Sequence, residues 1–478
     1  MANRPTSSLF LGLAVFVATG VAFSAGRSLR GEPKAPPIAV AKASPAPLPG
    51  AKVAEGAGAG LPLTGAGLPY GGQVGFSPFE TVYALLREHY VDTLPEDTKM
   101  AQGAVKAMLA SLEDPNAYFV EADQRTLLEN EGKGVFAGIG AALSVRGRKQ
   151  DGYTEYKVHV VAPLPGSPAE KAGLRAGDVV VRIDGRWVLG YNPLVTYNKV
   201  LQRWQDRDVT DEEVEKVRVA TKDKIAGGIP FHDAEMLLRG DKAGFRNPSA
   251  KEIAKKSSWP LVVERRGVQA TITVEPGSTQ VPGVASRTLE GGVGYLRIPY
   301  FADGTAAAVR KAVAGLPPGG LVVDLRGNPG GSLEAGQAVA GALLGKGAFA
   351  QELGPKARRT VLNTTGDPAR KGPVTVLVDR GTASVAEALA ACVVDRGAGT
   401  TVGSATFGDA LVQALYTLDD GSGFTLSVGT LTGPKGGRWS GTGIVPKVAL
   451  APGTPEDKVL TRAVAALKEL PAVAAGGK

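Results

Sequence analysis

The chain of 478 residues contains one cysteine and three histidines, and this scarcity excludes several kinds of site. Cys392 has no partner for an internal disulfide, and its place in the apolar run 388–394 predicts a buried, unreactive thiol. His89, His159 and His232 are dispersed, so Cys and His side chains cannot form a metal site at ligand spacing. We therefore expect neither a metal nor another cofactor.

Concentrated positive charge is also lacking, although the net charge is +8. Basic and acidic residues are mixed along the chain, and no Lys/Arg tract is interleaved with aromatic residues. Domains that bind nucleic acid usually present such a basic patch. The composition therefore predicts a basic protein without a nucleic-acid partner.

A long uncharged and mostly apolar run occurs at the N-terminus, from Leu9 to Ala25, and Arg4 precedes it. This pattern, with small residues around Phe23, is typical of an export signal. The run could be cleaved or could stay as an anchor that tethers the protein to a membrane. We expect an exported protein of the periplasm or cell envelope. Residues 31–75 are rich in Pro, Ala and Gly and predict a disordered linker.

Helical periodicity follows the linker. Phe79, Val82 and Leu85 fall at helical spacing, and a second helical pattern begins after Pro95. These patterns predict a small helical cap over residues 76–133.

Glycine turns and strand patterns dominate the next segment. The run Gly138–Leu143 places a glycine turn before a strand, and such a turn exposes backbone N–H groups suited to a carboxylate. A strand pattern at Tyr156–Val161 and the runs Gly166–Leu174 and Gly177–Gly185 follow. In this order the segment 134–278 resembles a PDZ domain, which implies that a peptide adds beside the strand after the turn. The residues implied to bind it are Gly138, Ile139, Gly140 and Ala141.

An insertion interrupts this PDZ-like segment at residues 189–229. It precedes the expected groove helix, Pro230–Arg239, and the final strands, Trp259–Arg265 and Val268–Val274. Its many charges favour a solvated helical excursion. Its place beside the predicted groove leaves a gating role as the alternative.

Strands and helices alternate in the third segment. Strand patterns at Val293–Phe301, Gly320–Arg326 and Val374–Val378 and a helix at Thr305–Ala314 predict an α/β core. The predicted organisation is a signal or anchor (1–30), a linker (31–75), a helical cap (76–133), a PDZ domain (134–278), a peptidase-like core (279–455) and a C-terminal helix and tail (456–478).

The ordered motifs after residue 76 resemble the carboxy-terminal processing peptidases, also called tail-specific proteases. The motifs that carry this resemblance in the core are Asp324–Gly331, Gly381–Glu387, Gly403–Gln413 and Gly441–Pro446. The resemblance implies a crotonase-like or Clp-protease-like α/β fold, and a PDZ domain that binds C-terminal or unstructured segments of other proteins.

The resemblance also implies roles for particular residues. Ser384 matches the serine nucleophile, which would form an acyl-enzyme. The backbone N–H of Val385 and that of Gly330 or Gly331 match the oxyanion hole. Gln413 matches the glutamine that positions the base.

One position departs from the family pattern. After Thr406-Phe407-Gly408 the family has a lysine that takes the serine proton, and this chain has Asp409. No lysine occurs between Ser384 and Pro434. An ordinary Asp is a feeble base, and a carboxylate ~5 Å from the oxyanion would repel it by about 3 kcal/mol. Loss of base assistance would slow the reaction by a further factor of roughly 10²–10⁴.

Three hypotheses follow. The first is a tail-specific serine peptidase with an unusual base, such as Lys435, brought to the site by the fold. The second is a catalytically inactive relative that binds C-terminal peptides as a scaffold or adaptor in the cell envelope. The third, a purely structural envelope protein, leaves Ser384 and Gln413 unexplained. His159 lies in the PDZ-like segment and is predicted to be an exposed strand residue, not the base.

Overall fold

The computed structural model describes residues 77–150, 153–190, 194–242 and 247–470. The predicted signal or anchor and the predicted linker lie outside these residues. Within them, no helix is long and apolar enough to span a lipid bilayer. The chain divides into two compact units.

The first unit contains the described residues up to Phe119, together with Leu415–Leu426. Two helices, α1 (Ser77–His89) and α2 (Asp97–Ala110), occupy the positions that the periodicity predicts. The backbone N–H of Thr425 donates to the Tyr118 carbonyl at 2.9 Å, so the segment 415–426 is tied to the end of the helical part.

The second unit contains Val120–Ala414 and the residues from Ser427 onward. It begins with helix α3 (Ala122–Gly132) and strand β2 (Val135–Gly138), which follows the short strand β1 (Phe119–Val120). Strand β2 pairs with β9 (Gly277–Gln280) in antiparallel register. This pair joins the two ends of the PDZ-like segment.

The PDZ-like segment is built on a sheet in the order β3-β4-β5-β7-β8, with β6 beside β5. Its strands are β3 (Ala141–Gln150), β4 (Tyr153–Pro163), β5 (Val179–Ile183), β6 (Arg186–Trp187), β7 (Trp259–Arg265) and β8 (Val268–Val274). Its short helices are α4 (Pro168–Ala172), α7 (Phe231–Leu238) and α8 (Pro248–Ala254). Among the described strands β3 pairs only with β4, so β3 is an edge of the sheet. The bounds predicted for the groove helix and the last two strands are confirmed within a residue.

The insertion forms a helical hairpin of α5 (Val195–Gln205) and α6 (Asp211–Gly227). Thr210 caps α6, because its side chain accepts from the Glu213 N–H at 3.3 Å. The two ends of the insertion meet, since Leu189 N–H donates to Ile229 O at 3.0 Å. The predicted helical excursion is confirmed.

A six-stranded sheet forms the centre of the core, in the order β10-β11-β12-β15-β16-β19. Its strands are β10 (Ala285–Leu289), β11 (Val293–Arg297), β12 (Leu321–Asp324), β15 (Val374–Val378), β16 (Gly399–Gly403) and β19 (Val448–Ala449). All pairings from β11 to β19 are parallel, and β10 is antiparallel to β11.

Helices cover this central sheet, and a second sheet packs against two of them. The helices are α9 (Thr305–Ala314), α10 (Leu333–Leu344), α11 (Val385–Asp395) and α12 (Glu456–Lys468). The second sheet contains β13 (Gly347–Leu353), β14 (Arg359–Thr364), β17 (Leu411–Thr417) and β18 (Gly423–Thr432). Strands β12 and β15 are buried at every position, as expected for parallel strands covered on both faces. The α/β prediction is confirmed, and Cys392 is fully buried as predicted.

A buried carboxylate ends strand β12 beside the loops that carry the site. Asp324 is 1% exposed and accepts hydrogen bonds from Tyr295 Oη at 2.7 Å, Arg297 at 2.8 Å and Arg326 at 2.6 Å. Burial alone would raise the pKa of Asp324, but the hydrogen bond from Arg326 and the neighbouring positive charges hold that pKa below its usual value. The charge of Asp324 is therefore fully paired.

We expect Asp324→Asn to lower the free energy of unfolding by about 3 kcal/mol at pH 7, because it leaves two partly buried guanidinium groups without their buried carboxylate. The folded pKa is depressed, so this contribution is present above a pH of about 4 and is lost as the pH falls through the folded pKa. Urea unfolding at several pH values measures both effects. The exposed Asp303→Asn is the control; equal stability of the two variants at pH 7 would contradict the prediction.

Candidate active site

Ser384 lies at the turn between strand β15 and helix α11. Its backbone has φ 53° and ψ −119°, an unusual conformation for a residue with a side chain. Hydrogen bonds hold the turn: Ala383 N–H donates to Asn328 O at 2.9 Å, and Thr382 Oγ1 to Leu325 O at 2.8 Å. The turn is thereby attached to the end of β12 and presents Ser384 at the head of the helix.

Gly330 lies directly against Ser384. A Cβ on Gly330 would come within 2.9 Å of the Ser384 Cβ, and φ of Gly330 is +106°. Both facts require glycine at this position. The Gly330 N–H donates to Asn328 Oδ1 at 2.8 Å, so it is already used.

Two N–H groups remain as candidates for the predicted oxyanion donors. Gly331 N–H makes no hydrogen bond to another residue that the structure describes. Val385 is the first residue of α11, and an N–H at that position has no partner within its helix. Of the two glycines that the resemblance implies, the geometry favours Gly331 as the donor beside Val385.

A buried carboxyl joins Ser384 to the loop that carries position 409. Glu387 Oε2 accepts from Ser384 N–H at 3.0 Å and from Asp409 N–H at 2.9 Å. Glu387 Oε1 accepts from Gly408 N–H at 2.7 Å and from the Thr406 hydroxyl. Because one side chain receives both backbone groups, position 409 lies next to Ser384, as the resemblance implies.

The environment of Glu387 is unfavourable for a negative charge. The residue is fully buried, and burial raises the pKa of Glu387 to about 8. The hydrogen bonds from Thr406, Gly408 and Ser384 lower that pKa, and the Asp409 charge raises it. The carboxyl therefore titrates near neutral pH.

The Asp409 carboxyl points toward the PDZ-like segment. Its Oδ2 accepts from Ser144 Oγ at 2.9 Å, and its Oδ1 from Leu411 N–H at 3.3 Å. Burial raises the pKa of Asp409, while the hydrogen bond from Ser144 and the charge of Arg146 lower it. The carboxyl is held by its own partners and makes no described hydrogen bond to Ser384.

One face of strand β3 covers the loop before Asp409. Ala142, Ser144 and Arg146 alternate along β3 and so project to the same side. Arg146 Nη2 donates to Gly408 O at 2.8 Å, and its guanidinium carbon lies 4.1 Å from the centroid of the Phe407 ring. A positive charge thus lies beside the site where the family places its lysine.

Two other predicted placements need correction. His159 is not an exposed strand residue: it is half-buried, 6.4 Å from the Phe407 ring, and burial and Arg146 lower its pKa to about 4.

Lys435 does not reach the site. Its N–H donates to Asp395 Oδ2 at 3.0 Å, and Asp395 ends the helix that Ser384 begins, about 15 Å away. The hypothesis that Lys435 is the base is wrong.

Gln413 lies on strand β17 with its side chain exposed. That side chain makes no hydrogen bond to any residue within the described ranges. Its role as the residue that positions the base stays a prediction.

The glycine turn before β3 is partly closed. Ile139 N–H donates to Leu238 O at 2.9 Å, and Gly140 N–H donates to Ala137 O at 3.3 Å. The expectation of free N–H groups at these two residues is therefore wrong, because the end of helix α7 and the turn itself supply acceptors. A carboxylate bound here would have to replace Leu238 O.

Sequence reasoning missed three residues of this site. Glu387 could have been found, because Ser384-x-x-Glu387 at the start of a helix is a capping-box pattern. Ser144 and Arg146 could not, since they lie about 260 residues from the loop that they contact.

Comparison with known families gives two matches. Residues 292–450 match the model of peptidase family S41, and residues 159–197 match a model of the PDZ domain. The first match contains every residue of the Ser384 and Asp409 loops.

Relatives match most of the chain. A chloroplastic C-terminal processing peptidase of Tetradesmus obliquus is 32% identical over 372 residues, which are 77% of this chain and 72% of the relative. A carboxy-terminal-processing protease of Bartonella bacilliformis is 26% identical over 389 residues, which are 79% of this chain and 75% of the relative. Among solved structures, a photosystem II D1 C-terminal processing protease aligns with a TM-score of 0.56 and 27% identity, over 80% of this chain and 90% of that one.

We expect the Glu387 carboxyl to make stability fall as the pH rises. Its folded pKa, about 8, is above its ordinary value of 4.5, so its contribution is complete below the ordinary value and is lost as the pH rises through about 8. Glu387→Gln removes the titration, so its unfolding free energy should change less between pH 5 and 9. Urea unfolding across this range measures the slope. The exposed Glu290→Gln should keep the wild-type slope; the same slope in Glu387→Gln would overturn the assignment.

Proposed function

Because this chain belongs to the carboxy-terminal processing peptidases, we propose that it captures unstructured C-terminal segments of proteins and hydrolyses them slowly at Ser384. The observation that carries the proposal is the strained Ser384 turn, held against Gly330 at the head of α11. A strained backbone is costly, and such strain concentrates at sites that use it.

The reaction follows from the groups around Ser384. Its Oγ attacks the peptide carbonyl, and the N–H groups of Val385 and Gly331 donate to the oxyanion that forms. Water carries the Oγ proton to the amine nitrogen, the C–N bond breaks and releases the amine fragment, and the acyl group stays on Ser384. Water then attacks the acyl-enzyme and releases the new C-terminus.

The slow step is removal of the proton from Ser384. Asp409 stands where the family has an amine, and its carboxyl is engaged with Ser144 at 2.9 Å. Without an efficient base the rate should be lower by roughly 10²–10⁴.

Repulsion of the oxyanion is smaller than the residue type implies. Arg146 donates to Gly408 O at 2.8 Å, so a positive charge lies beside the Asp409 carboxyl and offsets part of its charge, and burial raises the pKa of Asp409. The site therefore lacks the lysine base, but the repulsion between the Asp409 carboxyl and the oxyanion is partly offset.

A second candidate function is tail binding without hydrolysis, as a scaffold in the cell envelope. The orientation of the Asp409 carboxyl toward Ser144 favours it, since this carboxyl then makes no hydrogen bond to Ser384 within the described residues. For either function we propose that the segment from Leu9 to Ala25 directs export, because an uncharged run of this kind directs secretion. The protein would then lie in the periplasm or be bound to the cell envelope.

Incubation of the protein with an unstructured polypeptide tests hydrolysis. We expect slow cleavage by the wild type, none by Ser384→Ala, and cleavage at least about 100-fold faster by Asp409→Lys. Burial and Arg146 would lower the pKa of a lysine at 409 and so favour its neutral, basic form. Asp303→Lys makes the same charge change at an exposed position and should match the wild type.

Two outcomes would contradict the proposal. Equal product from wild type and Ser384→Ala would favour the tail-binding function. Unchanged cleavage in Asp409→Lys would show that the residue at 409 does not limit the reaction.

Recognition of tails is tested by peptides with free and amidated C-termini. We expect the free form to bind about tenfold or more tightly, because amidation removes the charge that the turn 138–141 would hold. Fluorescence anisotropy with the Ser384→Ala protein measures this without cleavage. Equal affinities would contradict capture of the carboxylate.

A further inference from the structure

The expected peptide groove lies between strand β3 and helix α7, with the glycine turn at one end. Contacts at both of these elements place the inserted hairpin at the other end. On one wall, the C-terminal end of α7 meets the turn, because Ile139 N–H donates to Leu238 O at 2.9 Å. The N-terminal end of α7, Phe231, is therefore about 12 Å away. The hairpin joins the chain at Ile229, two residues before that end.

The other wall gives the same placement. Ala141 at the start of β3 pairs with Pro163, and Gly147 farther along pairs with Tyr156. A Cβ on Gly190, at the base of the hairpin, would lie 3.7 Å from the Tyr156 carbonyl oxygen. The base of the hairpin thus contacts the far end of the β3–β4 pair.

The direction of a bound peptide follows from the position of the turn. If its C-terminal carboxylate lies at the turn before β3, its upstream residues extend along β3 toward Gly147. An extended chain rises about 3.3 Å per residue, so about four residues span the 12 Å of α7. Residues farther upstream reach the hairpin.

The hairpin has an incompletely covered apolar surface. Tyr197, Val200, Leu201 and Trp204 fall at spacings of three and four and form one stripe on α5. Neither α5 nor α6 contains a fully buried residue, and Trp204 is 45% exposed. Two helices alone do not enclose a core, so this stripe can accept a further layer.

We propose that the α5 stripe binds the unfolded polypeptide of the substrate, beginning about four residues upstream of its C-terminus, through apolar side chains. The inference rests on the proposed tail binding and adds a second contact that gives preference to long, unfolded tails. The base of the hairpin lies at the end of the groove where the substrate chain must leave it, and this position selects the upstream substrate chain as the occupant.

The test uses fluorescent peptides of four and twelve residues with the same C-terminus, and a twelve-residue peptide whose upstream residues are only Gly and Ser. All proteins carry Ser384→Ala, so that binding is measured without cleavage. We expect the apolar twelve-residue peptide to bind about tenfold more tightly than the other two.

Two variants locate the effect. In Trp204→Ala, and in a chain where residues 190–228 are replaced by a short Gly/Ser linker, all three peptides should bind with the affinity of the four-residue peptide. The linker is compatible with folding because Leu189 and Ile229 are already hydrogen-bonded. Lys222→Ala, an exposed change on α6, should keep the tenfold preference.

The outcomes separate this inference from tail binding itself. The four-residue peptide could bind through its free carboxylate while the apolar twelve-residue peptide binds no more tightly. That result would overturn the hairpin contact and would still support tail binding in the groove. A length preference that persists in both variants would also overturn it. Absence of carboxylate-dependent binding of the four-residue peptide would overturn tail binding and, with it, the hairpin contact.

Discussion

The Glu387 carboxyl is the contact on which the rest of the site depends. It receives the Ser384 N–H at 3.0 Å, the Asp409 N–H at 2.9 Å and the Gly408 N–H at 2.7 Å. The helix that follows Ser384 and the loop that carries position 409 come from separate parts of the core. A single buried side chain fixes their spacing through the backbone N–H of residue 409, a group that every residue except proline supplies.

The PDZ-like segment supplies part of the same site. Ser144 binds the carboxyl of Asp409, and Arg146 binds Gly408 and packs on Phe407. An acid therefore stands on the core loop where the family has a lysine, and the fixed positive charge of Arg146 approaches that loop from strand β3. An arginine keeps its positive charge and cannot take a proton from Ser384, so Arg146 does not replace the missing lysine as a base.

Local patterns predicted the elements well and the contacts poorly. The spacing of apolar residues placed α1 and the final PDZ strands, and Asp409 was identified from its place after Thr406-Phe407-Gly408. The turn 138–141 was recognised, but its N–H groups were expected to be free, and Leu238 O occupies one of them. The acceptor comes from a helix about 100 residues later, which no local pattern contains. Lys435 was considered as a base for the same reason: the sequence does not show that helix α11 separates it from Ser384.

By itself, the sequence determined the α/β core, the order of its motifs, and the presence of an acid where the family has a lysine. These follow from residue identity and periodicity, which act over a few residues. Only the tertiary structure decided what Asp409 faces and that the inserted hairpin lies at the far end of the groove. It also decided that the Gly330 N–H already has an acceptor, whereas the Gly331 N–H has none among the described residues. Those facts depend on groups that are distant in the chain and adjacent in space, where burial and hydrogen bonding set both pKa and orientation.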